Sequence, residues 1–342
     1  MTHQDQTTWH NLSADWINWA DRLAPAAGKI NRHMIEAVDL PALAHARGGA
    51  DLAVLDLASG VGEPAFTFAR ALSGQRDVSA NTPGITGHVT ATDIVPEMCD
   101  GLSARAQEDG IANITVMPAN MEKLPFDDQS FDVVSCRFGV MFCDDPDLAL
   151  RESHRVLRTG GRAVFMVWAP LVDNPLFAAM DAVLGNILGI GFDKAGLDPF
   201  SFGNVDQSMM RLESAGFRGI QATTHSPAGR IPETVAFWKP QMDMLFGHIL
   251  REASDMEMGA LNAAMFETLS PYVEDGHFQV PICFHVLSGT HAQSTVFLTG
   301  NFDQKPSIPA NVTWWRYLVF SCLFTDGVAH RAALERCNVP LS

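Results

Sequence analysis

The segment VLDLASGVGEP, residues 54–64, joins a short apolar run to a glycine-rich turn. Gly60 and Gly62 permit a sharp turn and leave no Cβ between the backbone and a ligand. Pro64 suits the first turn of a helix, and the free N–H groups of a helix beginning near Glu63 would point at whatever lies over the loop. The pattern predicts a nucleotide-like ligand at the carboxyl edge of a doubly wound parallel sheet.

Further strands and helices follow this segment. HVTATD at 88–93 predicts a second strand, and an acid at its end, Asp93, can accept hydrogen bonds from both hydroxyls of a ribose. The other predicted strands are 114–117, 131–136, 162–168, a sixth that follows Gly216 and ends at Thr224, and 278–288. The later predicted helices are 147–157, one that ends at Gly216, and two Met- and Phe-rich stretches at 174–190 and 232–265.

Four segments stand out in this order: LDLASGVGEPA at 55–65, Asp93, LPFDDQSFDVVSCRFGVMF at 124–142 and RVLRTGG at 155–161. In this order and spacing they resemble the class I S-adenosylmethionine-dependent methyltransferases of the small-molecule type. The similarity is to the group that contains the ubiquinone and menaquinone biosynthesis C-methyltransferases, and it extends over roughly residues 40–290. The resemblance implies an α/β fold: a doubly wound, mostly parallel, seven-stranded Rossmann-like sheet with an antiparallel last strand and a helical lid. A C-terminal extension, residues 292–342, falls outside the family pattern.

The resemblance also implies a binding site for the methyl donor, S-adenosyl-L-methionine. Its implied residues follow the first four strands: Asp56, Ala58, Ser59, Gly60, Gly62, Asp93, Ile94, Asn120, Met121 and Arg137. The residues from Ala58 to Gly62 would cradle the methionine part of the donor, and Asp56 would support their loop. Ala58 replaces a glycine that is frequent in the family, a mild change if its backbone angles are ordinary.

The remaining implied residues would hold the nucleoside and the amino-acid end. Asp93 would bind the ribose hydroxyls, Ile94 would lie against the adenine, and Asn120 with the backbone of Met121 would bind the adenine edge. Asn120 stands where the family usually has Asp, and its amide oxygen can still accept from the adenine amine, but without a charge. Arg137 would lie at the amino-acid end of the donor.

The catalytic residues are less well marked. The donor supplies the reactive methyl group, and no metal is required. If the acceptor is a phenol, an enol or a protonated amine, a base must remove a proton. His225, at the end of the predicted sixth strand, and His285, in the seventh, are the candidate bases, and Arg137 is a candidate for steadying an acceptor oxygen.

Composition bounds the class of partner. The net charge is −16, from 23 basic and 39 acidic residues, which disfavours nucleic-acid substrates and anionic membrane surfaces. The expected partner is therefore a small molecule, which a Met- and Phe-rich lid predicts to be apolar or aromatic. No apolar run approaches a membrane span, no signal peptide is visible, and the six cysteines form no metal-binding spacing. These features predict a cytoplasmic protein.

The predicted organisation has four parts. They are an N-terminal helical cap (1–39), an S-adenosylmethionine-binding core (40–170), the lid insertions with the remaining strands (171–291) and a C-terminal extension (292–342). Residues 13–38 of the cap have a helical pattern, which Pro25 interrupts and which resumes from Ile30, and an alternative interpretation is two helices that cover the sheet. The apolar segment within the extension suggests three possibilities: packing back on the sheet, walling off the substrate pocket, or exchange with a partner in a homodimer.

Two alternatives to methyl transfer stay open on the sequence. One is a protein that keeps the donor fold and binds S-adenosylmethionine without methyl transfer, as a regulator or as a catalyst of another reaction. The other is a nicotinamide dehydrogenase. It is a poorer fit, because the acid that binds ribose should follow the glycines by about 20 residues, whereas Asp93 lies well beyond that distance from Gly62.

Overall fold

A computed structural model describes residues 6–74, 84–192 and 198–292. Its strands are β1 (Leu52–Leu57), β2 (Gly87–Asp93), β3 (Ile114–Pro118), β4 (Phe131–Arg137), β5 (Leu157–Trp168), β6 (Arg218–His225), β7 (Ile231–Pro232), β8 (Val273–Glu274), β9 (His277–Phe278) and β10 (Phe284–Thr290). Its α-helices are α1 (Gln6–Val38), α2 (Leu40–Ala46), α3 (Ala65–Ala71), α4 (Pro96–Glu108), α5 (Pro146–Val156), α6 (Pro175–Leu188), α7 (Val205–Ser214), α8 (Lys239–Leu250) and α9 (Asp255–Leu269). The predicted C-terminal extension lies outside the described residues, apart from Ala292.

The main sheet has seven strands in the order β3-β2-β1-β4-β5-β10-β6. β1 pairs in parallel with both β2 and β4, so the chain leaves β1 toward one edge and returns to its other side at β4. This reversal of strand order opens a crevice beyond the carboxyl ends of β1 and β4. β10 runs antiparallel to both β5 and β6. The predicted doubly wound sheet with an antiparallel last strand is therefore confirmed.

The helical pattern of residues 13–38 belongs to α1, a single helix of 33 residues that contains Pro25, so the alternative of two helices is wrong. Proline removes one backbone hydrogen bond from a helix interior. The apolar face of α1 continues on both sides of it, however, and Trp19, Ala27, Met34 and Val38 are all buried. Burial of this face outweighs the interruption.

The predicted seventh strand, 278–288, is shorter and divided in the structure. Phe278 belongs to β9, which pairs with β7 and β8 in a separate three-stranded sheet, and β10 begins only at Phe284. Pro281, which has no N–H to donate to a ladder, lies in the gap between them. The stretch 232–265 also divides: Pro232 is in β7, and α9 begins after Ser254, whose side chain and that of Glu257 form a capping box.

The apolar core lies on both faces of the main sheet and continues into the helices that follow β5. One cluster includes Phe66 and Val89, another Leu55 and Phe165, and a third joins α6, α8 and α9 around Trp238 and Phe246. The third cluster holds the Met- and Phe-rich helices beside the carboxyl edge of the sheet. Among the described helices, none is both long enough and apolar enough to cross a membrane.

Candidate functional site

The glycine-rich loop after β1 contains three residues in the left-handed region, with φ of 49° at Ala58, 51° at Gly60 and 120° at Gly62. Ala58 therefore does not have the ordinary backbone angles under which its replacement of glycine would be mild. At Gly62 a Cβ would lie 2.3 Å from the ring of Phe66, so a side chain there would clash with α3. Gly62 does not line the cavity described below, and its part in the site is to let the loop pass over Phe66.

Ser59 and Asp56 fasten the loop to the sheet. The Ser59 hydroxyl donates to the carbonyl of Asp56 (2.9 Å) and accepts from the N–H of Thr92 (3.2 Å). The carboxyl of Asp56 is fully buried, with Oδ1 accepting from Ser135 at 2.6 Å and Oδ2 without a partner among the residues that the structure describes. Burial raises the pKa of Asp56 to about 7, although the Ser135 hydrogen bond opposes this. Asp56 thus lies beneath the loop rather than in the cavity.

Asp93, at the tip of β2, links the loop to the start of α4. Its Oδ2 accepts from the N–H of Gly60 (2.9 Å), and its Oδ1 accepts from the N–H of Val95 (3.0 Å). Burial raises the pKa of Asp93, against these backbone hydrogen bonds. Each carboxylate oxygen can accept more than one hydrogen bond, so the group can still receive two hydroxyls from a ligand.

Asn120 and Met121 follow β3 and line the same cavity as Ile94. The side-chain oxygen of Asn120 accepts from the N–H of Glu122 at 2.8 Å, which fixes the amide in a local turn. One acceptor site of that oxygen is therefore already used by the protein. The predicted contact with an adenine amine would use the other.

A cavity of ≈ 360 Å³ lies at the carboxyl edge of the sheet, a volume within the range of about 300–1,000 Å³ usual for small-molecule sites. Its loop wall includes Gly60, Val61, Glu63, Asp93, Asn120 and Arg137. Its apolar wall includes Phe142, Trp168, Leu176, Phe177 and Met244, with Gln241 as a polar member. The structure thus brings Ala58, Ser59 and Gly60 together with Asp93, Ile94, Asn120, Met121 and Arg137, as the sequence predicts.

Arg137, at the end of β4, makes no ion pair with the described residues. Its Nε is buried without a hydrogen-bond partner in the described part of the chain, and its Cζ lies 5.1 Å from the ring centroid of Phe138. Burial lowers the pKa of Arg137, while Glu63 and Asp56 oppose that shift. A buried cation without a bonded counter-ion is costly, so this guanidinium is suited to an anionic group of a ligand.

Glu63 is a residue of the loop wall that the sequence analysis did not select. Its Oε2 accepts from Asn31 of α1 (2.6 Å) and from Thr67 of α3 (2.9 Å), whereas Oε1 makes no hydrogen bond with the described residues. Burial raises the pKa of this carboxyl. Glu63 directly follows Gly62 in the segment 54–64, and this position could have identified it from the sequence as a residue of the site.

Helix α1 covers the cavity. Trp16, Ala20, Ala24 and Ala27, along with Trp9 and Ile30, line it from this side. The Trp16 indole donates to the carbonyl of Met244 (3.0 Å), which joins α1 to α8. Small side chains on the face of α1 above the glycine loop leave the room that a ligand needs.

The two predicted bases lie away from the cavity. His285 is buried in β10, where Nδ1 is 2.9 Å from the Thr224 hydroxyl and Nε2 is 3.0 Å from the carbonyl of Gly203. His225 stacks on His33 of α1 with a centroid distance of 3.8 Å, and burial and His33 lower its pKa. No histidine of the described segments lines the cavity. The sequence suggests both histidines because their strands are expected near the lid. In the structure their side chains point into packing contacts instead.

The part of the chain that forms the loop wall is similar to known proteins. Residues 55–165 match a family model described as a methyltransferase domain. The chain contains a class I methyltransferase domain. The match covers β1 to β5 and includes the glycine loop, Asp93, Asn120 and Arg137.

Two relatives of this region bear the name ubiquinone/menaquinone biosynthesis C-methyltransferase UbiE. The protein from Bartonella tribocorum is 34% identical over 158 residues, 46% of this chain and 54% of its own. The one from Escherichia coli O1:K1 is 35% identical over 136 residues, 40% of this chain and 50% of its own. The chain thus spans about half the length of these relatives. Among solved structures, the [4+2]-cyclase SpnF is similar with a TM-score of 0.47 and 18% identity, over 78% of this chain and 81% of that one.

Proposed function

We propose that this protein transfers a methyl group from S-adenosylmethionine to a small apolar or aromatic molecule. The observation that carries the proposal is the cavity at the carboxyl edge, where the glycine loop, Asp93 and the unpaired Arg137 lie on one wall. The methyltransferase-domain match and the similarity to UbiE proteins support it. The acceptor atom can be carbon, oxygen, nitrogen or sulfur under this proposal.

The residues of the loop wall fit the nucleoside of this donor. Asp93 would accept from the ribose hydroxyls with the lone pairs that Gly60 and Val95 leave free. Ile94 would give the adenine an apolar surface, and Asn120 with the backbone of Met121 would bind its edge. The local turn of Asn120 fixes this side chain before the ligand arrives, which lowers the entropy lost on binding.

The amino-acid end of the donor carries one positive and one negative charge, and the loop wall offers a group for each. Arg137 would bind the carboxylate, and the free Oε1 of Glu63 would accept from the ammonium. Among the described residues no ion pair joins the two side chains, although the charge of each shifts the pKa of the other. A zwitterion between them would satisfy both.

When bound, S-adenosylmethionine supplies an electrophilic methyl group, so the protein needs chiefly to orient the acceptor and exclude water. Helix α1 and the apolar wall do the second task, with Trp16, Phe177 and Met244 around the cavity. The proposal assigns no general base, because neither His225 nor His285 lines the cavity. Arg137 is assigned to the donor rather than to the acceptor.

Calorimetric titration with S-adenosylhomocysteine tests the donor site. We expect saturable binding, and Asp93→Ala should weaken it at least ten-fold, since hydrogen bonds to a charged group contribute about 1.5–3 kcal/mol. Asp127→Ala, at an exposed acid in the turn before β4, is the matched control and should leave the affinity unchanged. An Asp93→Ala protein that folds and binds as tightly as the wild type would rule out the assignment.

Transfer itself is tested with isotope-labelled S-adenosylmethionine and a metabolite extract, with the labelled product identified by mass spectrometry. The cytoplasmic location, the exclusion of nucleic-acid substrates and the homodimer through the C-terminal extension remain proposals. The net charge of −16 supports the second of these, because such a surface repels phosphate backbones.

A further inference from the structure

Gln241 is a polar side chain on the otherwise apolar face that α8 turns toward the cavity. It lies in the first turn of α8, and Met244 and Leu245 follow it on the same face at helical spacing. Its carboxamide makes no hydrogen bond with the described residues, and its Oε1 is buried without a partner. Burial of an amide without a partner destabilises a folded protein, so the stability of the fold does not explain a glutamine at position 241.

The surroundings of Gln241 restrict what could satisfy it. The residues of α6 and α8 that line the cavity carry no charge, and its charged lining residues belong to other elements: Glu63, Asp93, Arg105, Glu122, Arg137 and Asp144. A charged group placed there would lose its hydration without a counter-ion. A hydroxyl both donates and accepts, as a carboxamide does, and its burial costs less than that of a charge.

We propose that Gln241 is the residue that selects and positions the methyl acceptor, by hydrogen bonding to a hydroxyl group on an uncharged, largely apolar molecule. This inference rests on the proposed function, since it takes the apolar wall as the acceptor side of the cavity. The hydrogen bonds that the free protein leaves unmade at Gln241 are made in the acceptor complex. The free energy lost by burying the unpaired amide is then offset only when an acceptor that carries a hydroxyl binds, which favours such acceptors over others.

Two probes of nearly equal shape separate the hydroxyl from the apolar contact: para-fluorophenol and para-fluorotoluene. Their dissociation constants can be measured by fluorine NMR at neutral pH, with and without S-adenosylhomocysteine. Gln241→Met replaces the amide by an apolar side chain of similar length, and Gln207→Met, at an exposed position of α7, is the matched control. Thermal unfolding of all three proteins completes the set.

We expect the preference of the wild type for the phenol, expressed as the ratio of the two dissociation constants, to fall about five-fold or more in Gln241→Met. The same substitution should raise the melting temperature of the free protein, because it removes an unpaired amide. Gln207→Met should change neither. A Gln241→Met protein with unchanged preference, or a wild type that binds neither probe, would overturn the inference.

The outcomes also separate this inference from the proposed function. Failure of S-adenosylhomocysteine to bind, with the probe preference still lost in Gln241→Met, would reject the donor assignment and leave Gln241 as a hydroxyl-binding residue. Normal binding of S-adenosylhomocysteine with an unchanged preference would reject only the role of Gln241. A lowered melting temperature with unchanged preference would identify Gln241 as a structural residue and reject the inference.

Discussion

Two residues of the site, Ala58 and Phe138, adopt backbone conformations that are energetically unfavourable. Ala58 has a φ of 49° and Phe138 a φ of 53°, both in the left-handed region that favours glycine. Phe138 is retained there by its ring, which stacks on Trp168 at 3.9 Å and 6° and lies under the guanidinium of Arg137. Strain of this kind, at a ligand site, places side chains that a relaxed backbone would point elsewhere.

Ala58→Gly tests whether the loop is strained. Glycine adopts a positive φ without the Cβ penalty of about 1–2 kcal/mol but loses more entropy on folding, so we expect a net stabilisation of about 0.5–1 kcal/mol. Urea unfolding gives the free energy. Ala53→Gly, in β1 with an extended backbone, is the control and should destabilise the protein. Destabilisation of equal size in both variants would show that Ala58 is unstrained.

The buried carboxyl of Asp56 makes stability depend on pH. Burial raises its pKa from 3.8 to about 7, so the folded protein binds this proton more tightly than the unfolded chain does. The stability that Asp56 contributes is therefore fully present below about pH 3.8, falls as pH rises through this interval, and is lost above about pH 7.

Asp56→Asn removes this proton without removing the acceptor for Ser135. Between about pH 5 and about pH 8, we expect the wild type to lose of the order of 2 kcal/mol relative to the variant. The measurement is the free energy of unfolding of both proteins in urea across that range. Other titrating groups are common to both and largely cancel in the difference. Parallel curves for the two proteins would contradict the raised pKa.

At the scale of elements, β1, β4 and the second half of β5 could be predicted because each contains a short apolar run. The resemblance to the methyltransferases placed Asp93, Asn120 and Arg137 in one donor site, and in the structure they lie at or just after the carboxyl ends of strands that meet at one edge of the sheet. The orientation of His225 and His285 could not be predicted, because it depends on packing against α1 and β6.

Segments far apart in sequence complete the cavity, and local patterns do not reveal that. Trp16 of α1 meets Met244 of α8 across 228 positions, and Asn31 of α1 bonds Glu63. The continuity of α1 through Pro25 is of the same kind, because it depends on burial of both halves rather than on local propensity. Contacts of this sort decide which polar groups, such as Glu63 and Gln241, face the ligand.

Pro25→Ala measures what the interruption in α1 costs. Alanine restores a donor for the helix ladder and removes the clash of the ring with the preceding turn, so we expect a gain of about 1–3 kcal/mol in the free energy of unfolding. Pro175→Ala is the control, because Pro175 is the first residue of α6, where proline is well tolerated. Equal changes in the free energy of unfolding at the two positions would show that Pro25 does not destabilise α1.

At the scale of the whole molecule, the charge of −16 places like charges over the surface of one chain. Their repulsion acts over about 10 Å at 0.1 M salt and further in dilute buffer. Some acids are compensated locally, as in the pairs of Arg155 with Glu152 (2.7 Å) and Arg70 with Asp109 (2.6 Å). The excess of acids over bases leaves the rest of the repulsion to be screened by salt.

The melting temperature should therefore rise by a few degrees when sodium chloride is increased from about 10 mM to about 300 mM. A triple variant of exposed acids, Glu108→Lys, Asp127→Lys and Glu252→Lys, tests the cause, since each replacement changes the net charge by two and none of the three lines the cavity. Its melting temperature should respond less to salt, and its affinity for S-adenosylhomocysteine should stay the same. If the salt response persists undiminished, it arises from specific ion binding or from salting-out of apolar surface instead of from overall repulsion.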